Sequence, residues 1–482
     1  MKTKLSVLIA ALAMAMLIST FPIPKASAVK FAEEGSAYFV VFSGPNLPAD
    51  ANAIIADCGG AVTAKFPKIG VLVAMPTIDP ATFEVNLDRK NEITDFGHDY
   101  TVELPPYKLV TVEESVLEGG SGPVVTDSFY WAYQWHLWHT TDVNPEKVWS
   151  ITTGNPNVKV GILDTGIDYM HNQLGPNYDW VLSTSFVPTE PDPRDYNGHG
   201  SWCAGLVAAP IDGRGTVGIG PNLKIVSLKV LNATGSGYFS WLIQGVYYAV
   251  ENGIDVITMS LGAYVPMAGG VKNGGSALFS TLQRVFNYAN RNGVVCIASA
   301  GNGYNDMDGV SSWRHLPSQC SNVICVLGTN IYDDIALDLN PDGTVDWGSN
   351  YGSCLHGISS VAGDWADIEP TWYRSEFPTK PKAPTWLGYY GYPFSTTLRI
   401  GSSNYYGWYG GTSMASPHVA GVAGLILSIN PDFNPLQVRH FLLKGAKDIG
   451  APGYDQFFNF GLLNAYNSVL LAAKSKILLD IE

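Results

Sequence analysis

The chain has 482 residues, of which 46% are hydrophobic and only 15% are charged, and it contains 51 glycines and 30 prolines. This composition excludes a disordered polymer and a coiled coil, and it is typical of a folded protein with many loops. The net charge of −14 and the lack of any lysine or arginine run exclude a surface built to bind nucleic acid, so we expect no nucleic-acid partner.

The amino terminus has the features of a secretory signal peptide. Lys2 and Lys4 precede an apolar segment at about 5–18, and Ala26-Ser27-Ala28 supplies small residues for a signal peptidase. The apolar segment is shorter than the ~20 residues that span a bilayer. We therefore expect cleavage after Ala28, a secreted, extracellular protein, and no later segment apolar enough to span a membrane.

The six cysteines are too few to hold a chain of this length together as a disulfide scaffold. A hydrophobic core must therefore carry the fold. Cys320 and Cys325 are close enough in sequence to be bridged in an oxidising compartment, although spacing cannot give the connectivity, and Cys203 is the expected unpaired thiol. The sequence has no Cys-x-x-Cys and no His-x-x-x-His motif, so we expect no structural zinc site.

Residues 37–105 have the pattern of a small α+β domain. Strand-like segments at 37–44, within 62–76 and within 93–104 alternate with helical segments at 49–57 and about 80–90, and Asp79 is placed to cap the second helix. The order β-α-β-β-α-β is that of the split βαβ, or ferredoxin-like, arrangement. Residues 110–127 include three glycines and show no helical or strand periodicity, so we expect an exposed linker suited to proteolysis.

From Gln134 onward the pattern becomes one of buried strands separated by helices. The strand candidates are mostly continuous apolar runs, at 158–164, 224–231, 254–262, 293–301 and 322–328. Continuous rather than alternating hydrophobicity indicates strands covered on both faces. We therefore predict an α/β fold with a mostly parallel sheet between layers of helices, and functional residues at the carboxyl ends of the strands.

Three segments place reactive side chains in otherwise apolar or small-residue surroundings. Asp164 ends a predicted strand in GILDTGID, His199 begins a helix in NGHGSWCAGLVAA, and Ser413 begins another in GGTSMASPHVAGVAGLIL, with Pro417 expected in its first turn. A serine hydroxyl becomes a strong nucleophile when an imidazole accepts its proton, and the imidazole needs a carboxylate to fix its tautomer. The first N–H groups of the serine helix and the side-chain amide of Asn302 are candidate donors to an oxyanion.

These segments, in the order Asp, His, Ser, resemble the subtilisin-like serine peptidases, or subtilases, and GTSMASPHVAG is close to the full nucleophile motif of that family. The resemblance runs from about residue 134 to residue 473 and implies a three-layer subtilisin-like fold. It implies a catalytic triad of Asp164, His199 and Ser413. It further implies that Asn302 is the oxyanion donor and that a monomeric enzyme hydrolyses protein or peptide substrates without a cofactor.

The resemblance extends to the substrate groove and to the small domain. Gly235-Ser236-Gly237 and Ser260-Leu261-Gly262 resemble the two extended edges between which the family binds a peptide as an added β-strand. The small domain looks like the family's inhibitory pro-segment, which occupies the groove with its last strand until it is cut off. We therefore expect a signal peptide at 1–28, a pro-domain at 29–105, a linker at 106–128 that contains the autoprocessing bond, and a peptidase domain at 129–482.

The sequence departs from the family pattern at several positions. Cys203 lies one helical turn after His199, as in the proteinase K and kexin branches, and we expect a buried, inert thiol. Gln173 stands where many members place a calcium-ligating aspartate, and the loop 210–217 differs in length, so a structural calcium ion stays open and we assign no metal ligands. Residues 362–408 are longer than usual and rich in tryptophan and tyrosine, which either grip substrate or cover core.

Two other enzyme classes and one inactive class compete with this interpretation. Asp164-Thr165-Gly166 also fits an aspartic peptidase, but those enzymes need two such loops and this chain has one. An α/β-hydrolase would place its residues in the order Ser, Asp, His. A catalytically silent subtilase-fold binding protein is the remaining alternative.

Several polar residues near the motifs are interpreted as structural. Asp168, His171 and His418 have no assigned reactive role. Asp338–Trp347 has EF-hand-like spacing, but Ser349 stands where the bidentate glutamate should be, so we favour a hairpin turn there over a calcium loop.

Overall fold

The computed structural model describes residue 30 and residues 34–116, 125–142, 144–267, 274–340, 342, 344–364 and 391–479. The predicted signal peptide lies outside the described residues. Most of the aromatic-rich segment, residues 365–390, lies outside them as well.

The amino-terminal part forms an antiparallel sheet with two helices. Its elements are β1 (Glu34–Phe42), α1 (Ala51–Cys58), β2 (Gly60–Phe66), β3 (Val71–Pro76), α2 (Pro80–Asp88) and β4 (Ile93–Glu103). The strands lie in the order β2-β3-β1-β4, so the predicted β-α-β-β-α-β order is present. Asp79 caps α2 as predicted, because its carboxylate accepts the N–H of Thr82 at 3.0 Å.

The expectation of a linker without strand structure from residue 110 is wrong for its first part. β5 (Lys108–Glu113) pairs antiparallel with β19 (Ser403–Gly410), and a short 3₁₀ turn, Glu114–Val116, follows it. Val110 and Val112 are half-buried, whereas Leu109 and Thr111 are exposed. Two alternating valines are too short a signal to predict a strand whose partner lies some 290 residues away. The glycine-rich residues 117–124 lie outside the described residues.

A seven-stranded sheet forms the centre of the remaining chain. Its strands are β6 (Lys159–Asp164), β7 (Thr184–Ser185), β8 (Lys224–Lys229), β10 (Val256–Met259), β12 (Val295–Ser299), β14 (Val323–Thr329) and β17 (Ile358–Val361). They lie in the order β17-β14-β12-β10-β6-β8-β7, and all neighbouring pairs are parallel. The five predicted strands are confirmed, and β7 and β17 are short strands that the sequence analysis missed.

The other strands form small additions at the edges. β9 (Ser236–Tyr238) pairs with β4 and so joins the amino-terminal sheet, and β18 (Phe394–Ile400) pairs with β19. Two antiparallel pairs complete the set: β11 (Ala263–Pro266) with β13 (Trp313–Leu316), and the hairpin of β15 (Leu337–Leu339) with β16 (Val345–Gly348). The hairpin of β15 and β16 confirms the turn preferred at 338–347, and there Asp338 accepts the indole N–H of Trp347 at 2.7 Å.

Helices cover both faces of the parallel sheet. They are α3 (Tyr130–Tyr133), α4 (Trp135–Thr141), α5 (Pro145–Trp149), α6 (His199–Ala208), α7 (Phe239–Glu251), α8 (Gly274–Arg291), α9 (Thr412–Ile429), α10 (Pro435–Gly445) and α11 (Ala465–Leu479). One hydrophobic cluster joins α6 and α9 to one face, and a second joins α7 and α8 to the other. The predicted three-layer α/β architecture is confirmed, and β6 delivers its last residue, Asp164, to the carboxyl edge.

Helix α9 corrects one expectation from the sequence. By length and composition it is apolar enough to span a membrane, although no segment after the amino terminus was expected to be. Nearly all of it is buried inside the protein, in contact with both α6 and the parallel sheet. Its apolar side chains therefore form core.

The cysteines and the loop 210–217 show how the departures from the family pattern are accommodated. All six cysteines are free, so the bridge considered between Cys320 and Cys325 is not formed. In the loop, Asp212 accepts the side-chain amide of Gln173 at 3.1 Å, and the carboxylate of Asp127 accepts the N–H of Asp212 at 3.0 Å. Protein hydrogen bonds hold this loop.

Candidate active site

Asp164 and His199 meet at the carboxyl edge of the parallel sheet. Asp164 is the last residue of β6 and His199 the first of α6, and both are fully buried. The imidazole Nδ1 lies 2.9 and 3.0 Å from the two carboxylate oxygens. A carboxylate is only an acceptor, so Nδ1 carries a proton, and in the neutral imidazole Nε2 then keeps a lone pair. This is the tautomer that a general base needs.

Asp195 holds the start of α6 in place, and the sequence analysis missed it. Its buried carboxylate accepts the N–H of Gly198 at 3.0 Å and that of Ser201 at 2.9 Å. It also accepts the hydroxyl of Thr165, the neighbour of Asp164, at 2.9 Å. Asp195 thereby connects the strand that bears the acid to the helix that bears the base. An aspartate three residues before a helix's first N–H groups is the signal that could have revealed this role.

Ser413 is the second residue of α9, and Pro417 is the sixth, one turn later than expected. A proline has no N–H, so the carbonyl of Ser413 loses its bond within the helix. That carbonyl instead accepts the hydroxyl of Ser260 at 2.8 Å and lies 3.8 Å from the thiol of Cys203. The Ser413 hydroxyl in turn donates to the carbonyl of Ser260 at 3.1 Å. Two reciprocal bonds therefore tie the nucleophile candidate to the residue after β10.

The structure joins Asp164 and His199 by hydrogen bonds and places Cys203 between this pair and the Ser413 carbonyl. The thiol of Cys203 lies within 4.8 Å of ligand atoms of both Asp164 and His199 and touches the Ser413 carbonyl. Among the described residues, His199 Nε2 has no hydrogen-bond partner although it is buried. The Ser413 hydroxyl points to Ser260, and rotation about its Cα–Cβ bond would redirect it. Hydrogen bonds of this kind are often incomplete before substrate is correctly bound.

Asn302 follows β12 and is oriented by Thr412. Its carbonyl oxygen accepts the Thr412 N–H at 2.9 Å and the Thr412 hydroxyl at 2.6 Å. Because a backbone N–H can only donate, the amide nitrogen of Asn302 must face the opposite way. It donates to the carbonyl of Pro106 at 2.5 Å. Gly411, with φ of 144°, leaves room for it, since a Cβ there would lie 2.8 Å from that nitrogen.

The two predicted groove edges hold a segment of the same chain. β4 pairs with β9, which matches Glu103 with Ser236 and Val102 with Gly237. The Leu104 N–H donates to the carbonyl of Gly235 at 2.9 Å, and on the other side the Gly262 N–H donates to the carbonyl of Glu103 at 3.2 Å. Leu261, between Ser260 and Gly262, is fully buried. The chain thus forms a strand between both edges.

Tyr107 covers the imidazole. Its ring centroid lies 5.1 Å from that of His199 and 5.6 Å from that of Tyr409, on which it stacks. Burial, and secondly the charge of Asp164, raise the pKa of the Tyr107 hydroxyl above its ordinary value, so it stays neutral. The chain then continues into β5, so residues 104–113 cross the site without interruption.

The other candidates near the site are structural. Asp168 pairs with Arg194 at 2.9 Å, His171 bonds to the Tyr405 carbonyl at 3.2 Å, and His418 bonds to the Met414 carbonyl at 2.8 Å. Burial, with a smaller contribution from Asp164, raises the pKa of Cys203 far above its ordinary value. This thiol therefore stays protonated, which disfavours nucleophilic attack by its sulfur.

Comparison with known proteins identifies the family. The model of the subtilase family matches residues 155–461, more than half of the chain. The chain is a subtilase. Subtilisin DY from Bacillus licheniformis is 34% identical to this subtilase over 322 residues, which cover 67% of the subtilase and 94% of subtilisin DY. A thermophilic serine proteinase from Bacillus sp. (strain AK1) is 30% identical over 345 residues, which cover 71% and 68% of the two chains.

Two solved structures share the fold of this subtilase. Fervidolysin from Fervidobacterium pennivorans, a keratinolytic enzyme related to subtilisin, aligns with a TM-score of 0.65 at 20% identity, over 94% of the subtilase and 64% of fervidolysin. The epidermin leader peptide processing serine protease from Staphylococcus aureus aligns with a TM-score of 0.67 at 20% identity, over 91% and 99% of the two chains. The predicted family, fold and enzyme class are confirmed: this subtilase is a serine endopeptidase, and its catalysis needs no cofactor.

Proposed function

We propose that this subtilase is a secreted endopeptidase made as an autoprocessed zymogen, with Ser413 as nucleophile, His199 as general base and Asp164 as its orienting acid. The observation that carries the proposal is the bond from the Asn302 amide to the Pro106 carbonyl, which marks a peptide group of the chain itself as the one about to react. The predicted amino-terminal signal peptide supports an extracellular location.

The geometry supports the following reaction. The Ser413 hydroxyl turns from Ser260 to His199 Nε2 and gives up its proton there. Its oxygen then attacks the carbonyl carbon of the peptide bond to be cut. Asn302 and the backbone N–H of Ser413, which has no acceptor within the first turn of α9, stabilise the oxyanion. Asp164 stabilises the imidazolium that forms. His199 then passes the proton to the leaving amine, and water hydrolyses the acyl-enzyme by the same route.

We assign the autoprocessing bond to Pro106–Tyr107. Pro106 supplies the carbonyl that Asn302 contacts, and Tyr107 lies directly against His199, where the leaving amine must take up its proton. The preceding Pro105–Pro106 bond lacks this carbonyl contact. This bond lies at the start of the expected linker 106–128. Its cleavage leaves Pro106 attached to the pro-domain, 29–105, and the rest of the linker attached to the peptidase domain, 129–482.

The pro-domain proposal is supported by how the small domain contacts the peptidase. Strands β1–β4 share a hydrophobic cluster with α7 and α8. At the rim of this contact Lys68 pairs with Glu251 at 2.7 Å, and the guanidinium of Arg284 donates to the carbonyls of Gly44 and Ile69 at 3.1 and 3.0 Å. The domain therefore docks as a folded unit and presents its last strand to the groove. After cleavage it would inhibit as a competitive ligand of a monomeric enzyme.

The competing proposal is a silent binding protein. The contacts that fill the groove with the chain's own residues 101–107 favour it, since a permanently blocked site would do no chemistry. The Asp164–His199 pair favours activity instead, because it leaves His199 Nε2 buried and without a hydrogen-bond partner among the described residues, a cost that a binding protein would not need to bear. The Asn302 amide, which Thr412 orients toward a carbonyl, also favours activity.

Secretion of the full chain from a bacterial host decides between the two proposals. We expect intact-mass analysis to find a pro-domain fragment that ends at Pro106, and a fluorophosphonate probe to label Ser413 in the mature enzyme but not in the uncut chain. A full-length secreted protein that stays unlabelled would support the silent alternative. A labelled enzyme whose pro-domain fragment ends elsewhere would refute the assigned bond but not the triad.

Asn302→Ala is expected to lower kcat by about 10²- to 10³-fold with little change in KM, because the amide acts mainly on the oxyanion. Steady-state kinetics on a short peptide substrate measures the two constants. Thr412→Val is the control: it removes the hydroxyl, which donates to Asn302 and accepts the Gly301 N–H, and it keeps the Thr412 N–H that also orients Asn302. A larger loss in the control than in Asn302→Ala would contradict the assigned role.

A further inference from the structure

Strand β5 continues the chain beyond the assigned cleavage bond. It begins one residue after Tyr107 and pairs with β19 over six residues, from Lys108 opposite Gly410 to Glu113 opposite Tyr405. β19 ends at Gly410, three residues before Ser413. The chain on the leaving-group side of the bond is thus bound as an added strand, on the same segment that leads into the nucleophile helix.

The two faces of β5 differ. Val110 and Val112 are half-buried and lie opposite Trp408 and Tyr406, both fully buried. Between them Thr111 is exposed. Counted from the assigned bond, the half-buried residues are the fourth and sixth after the cut, and the exposed one is the fifth. Polar contacts fix the far end: Ser403 donates to Glu113 at 2.7 Å and Asn404 to Glu114 at 2.9 Å.

β19 would become an edge strand if β5 left. The sheet has the order β18-β19-β5, so among the described residues β5 alone pairs with that side of β19. An edge strand has unpaired N–H and C=O groups that can bind another extended chain, and the side-chain contacts on alternate residues then give selectivity.

We propose that β19 is a substrate-binding edge of the mature enzyme. It binds six residues of an extended polypeptide, the second to the seventh after the scissile bond, and prefers aliphatic side chains at the fourth and sixth positions. β5 occupies this edge in the precursor, so its sequence indicates which substrate segments the edge binds. The proposal rests on the proposed bond Pro106–Tyr107, and it requires a second cut in the linker that releases β5.

The proposal identifies the substrate class as polypeptides that stay extended for at least seven residues beyond the cut. A bond close to the carboxyl terminus of a chain would lack this contact. The strand Ser403–Gly410 would align such a substrate directly against Ser413, since only Gly411 and Thr412 separate them.

Acyl transfer tests the edge separately from the catalytic residues. The mature enzyme is acylated with an activated peptide ester, and a peptide amide is added whose α-amine competes with water. The amine attacks the acyl carbonyl carbon, its proton passes through His199 to Ser413 Oγ, and the ester bond to Ser413 breaks. The ratio of new peptide to free acid measures binding on the leaving-group side, whereas ester hydrolysis alone reports the triad.

The peptides are Tyr-Lys amide and Tyr-Lys-Leu-Val-Thr-Val-Glu amide, the sequence of residues 107–113. We expect the longer peptide to raise the ratio at least about tenfold, because several cross-strand pairs add to its binding. Aspartate at its sixth position should remove most of that gain, since a charge would face Tyr406. Aspartate at the exposed fifth position is the matched control and should change the ratio less than about twofold.

Three results would overturn the proposal. The two peptide lengths could give equal ratios, or aspartate could harm the fifth position as much as the sixth. Amino-terminal sequencing could also find a fully active enzyme that retains residues 107–113. If the enzyme hydrolyses no ester at all, the proposed function fails instead, so the two failures are distinguishable.

Discussion

Ser413→Ala is expected to lower kcat by about 10⁶-fold and to leave the secreted chain at full length. No acyl-enzyme can form without the hydroxyl, and the same hydroxyl is needed to cut Pro106–Tyr107. Kinetics on a short substrate measures the first effect. Intact-mass analysis of the product from a host that lacks other secreted proteases measures the second.

Ser416→Ala is the matched control for this variant. Ser416 lies on the same helix, is equally buried and also contacts Ser260, with its hydroxyl 2.7 Å from the Ser260 hydroxyl. It takes no part in the proposed reaction, so Ser416→Ala should still process itself. Normal processing of Ser413→Ala under these conditions would refute the nucleophile assignment.

Asp164→Asn is expected to lower kcat by about 10⁴-fold while the fold is retained. The N–H of Thr165 donates to one carboxylate oxygen of Asp164 at 2.7 Å, so an asparagine would keep its carbonyl there and turn its NH₂ toward His199. Two donors would then face each other unless Nδ1 gave up its proton. The imidazole would therefore take the other tautomer, with Nε2 protonated and unable to accept the serine proton.

Asp168→Asn separates this effect from the loss of any buried carboxylate beside the site. Asp168 is equally buried but pairs with Arg194 and accepts the Arg399 N–H at 2.7 Å. Its replacement should lower the melting temperature and leave kcat on a short substrate within a few-fold of wild type. The assignment of Asp164 fails if Asp164→Asn loses no more activity than Asp168→Asn does.

The sequence predicted those features that are encoded locally. Asp164, His199 and Ser413 lie at ends of strongly apolar strands or beginnings of helices, and a parallel sheet collects such ends at one edge. Asp79 could be assigned as a cap because capping depends on residues only three positions apart. Continuous apolar runs likewise indicated the five central strands.

The features that escaped prediction depend on contacts between distant segments. Strand β5 is held by β19, and Tyr107 is placed by Tyr409, so neither has a local signal. Asp195 acts through Thr165 and the first turn of α6. The position of Pro417 within α9 was misjudged because the helix begins at Thr412, where Asn302 supplies the acceptor for its first N–H.

The contact between Ser260 and Ser413 has a consequence for engineering. Ser260 begins the proposed substrate-binding edge 260–262, and it also bonds to both the hydroxyl and the carbonyl of Ser413, the proposed nucleophile. A change at position 260 made to retune selectivity would therefore shift turnover as well. Ala263, farther along the same edge, lines the groove without bonding to Ser413 and is the better place to diversify a library.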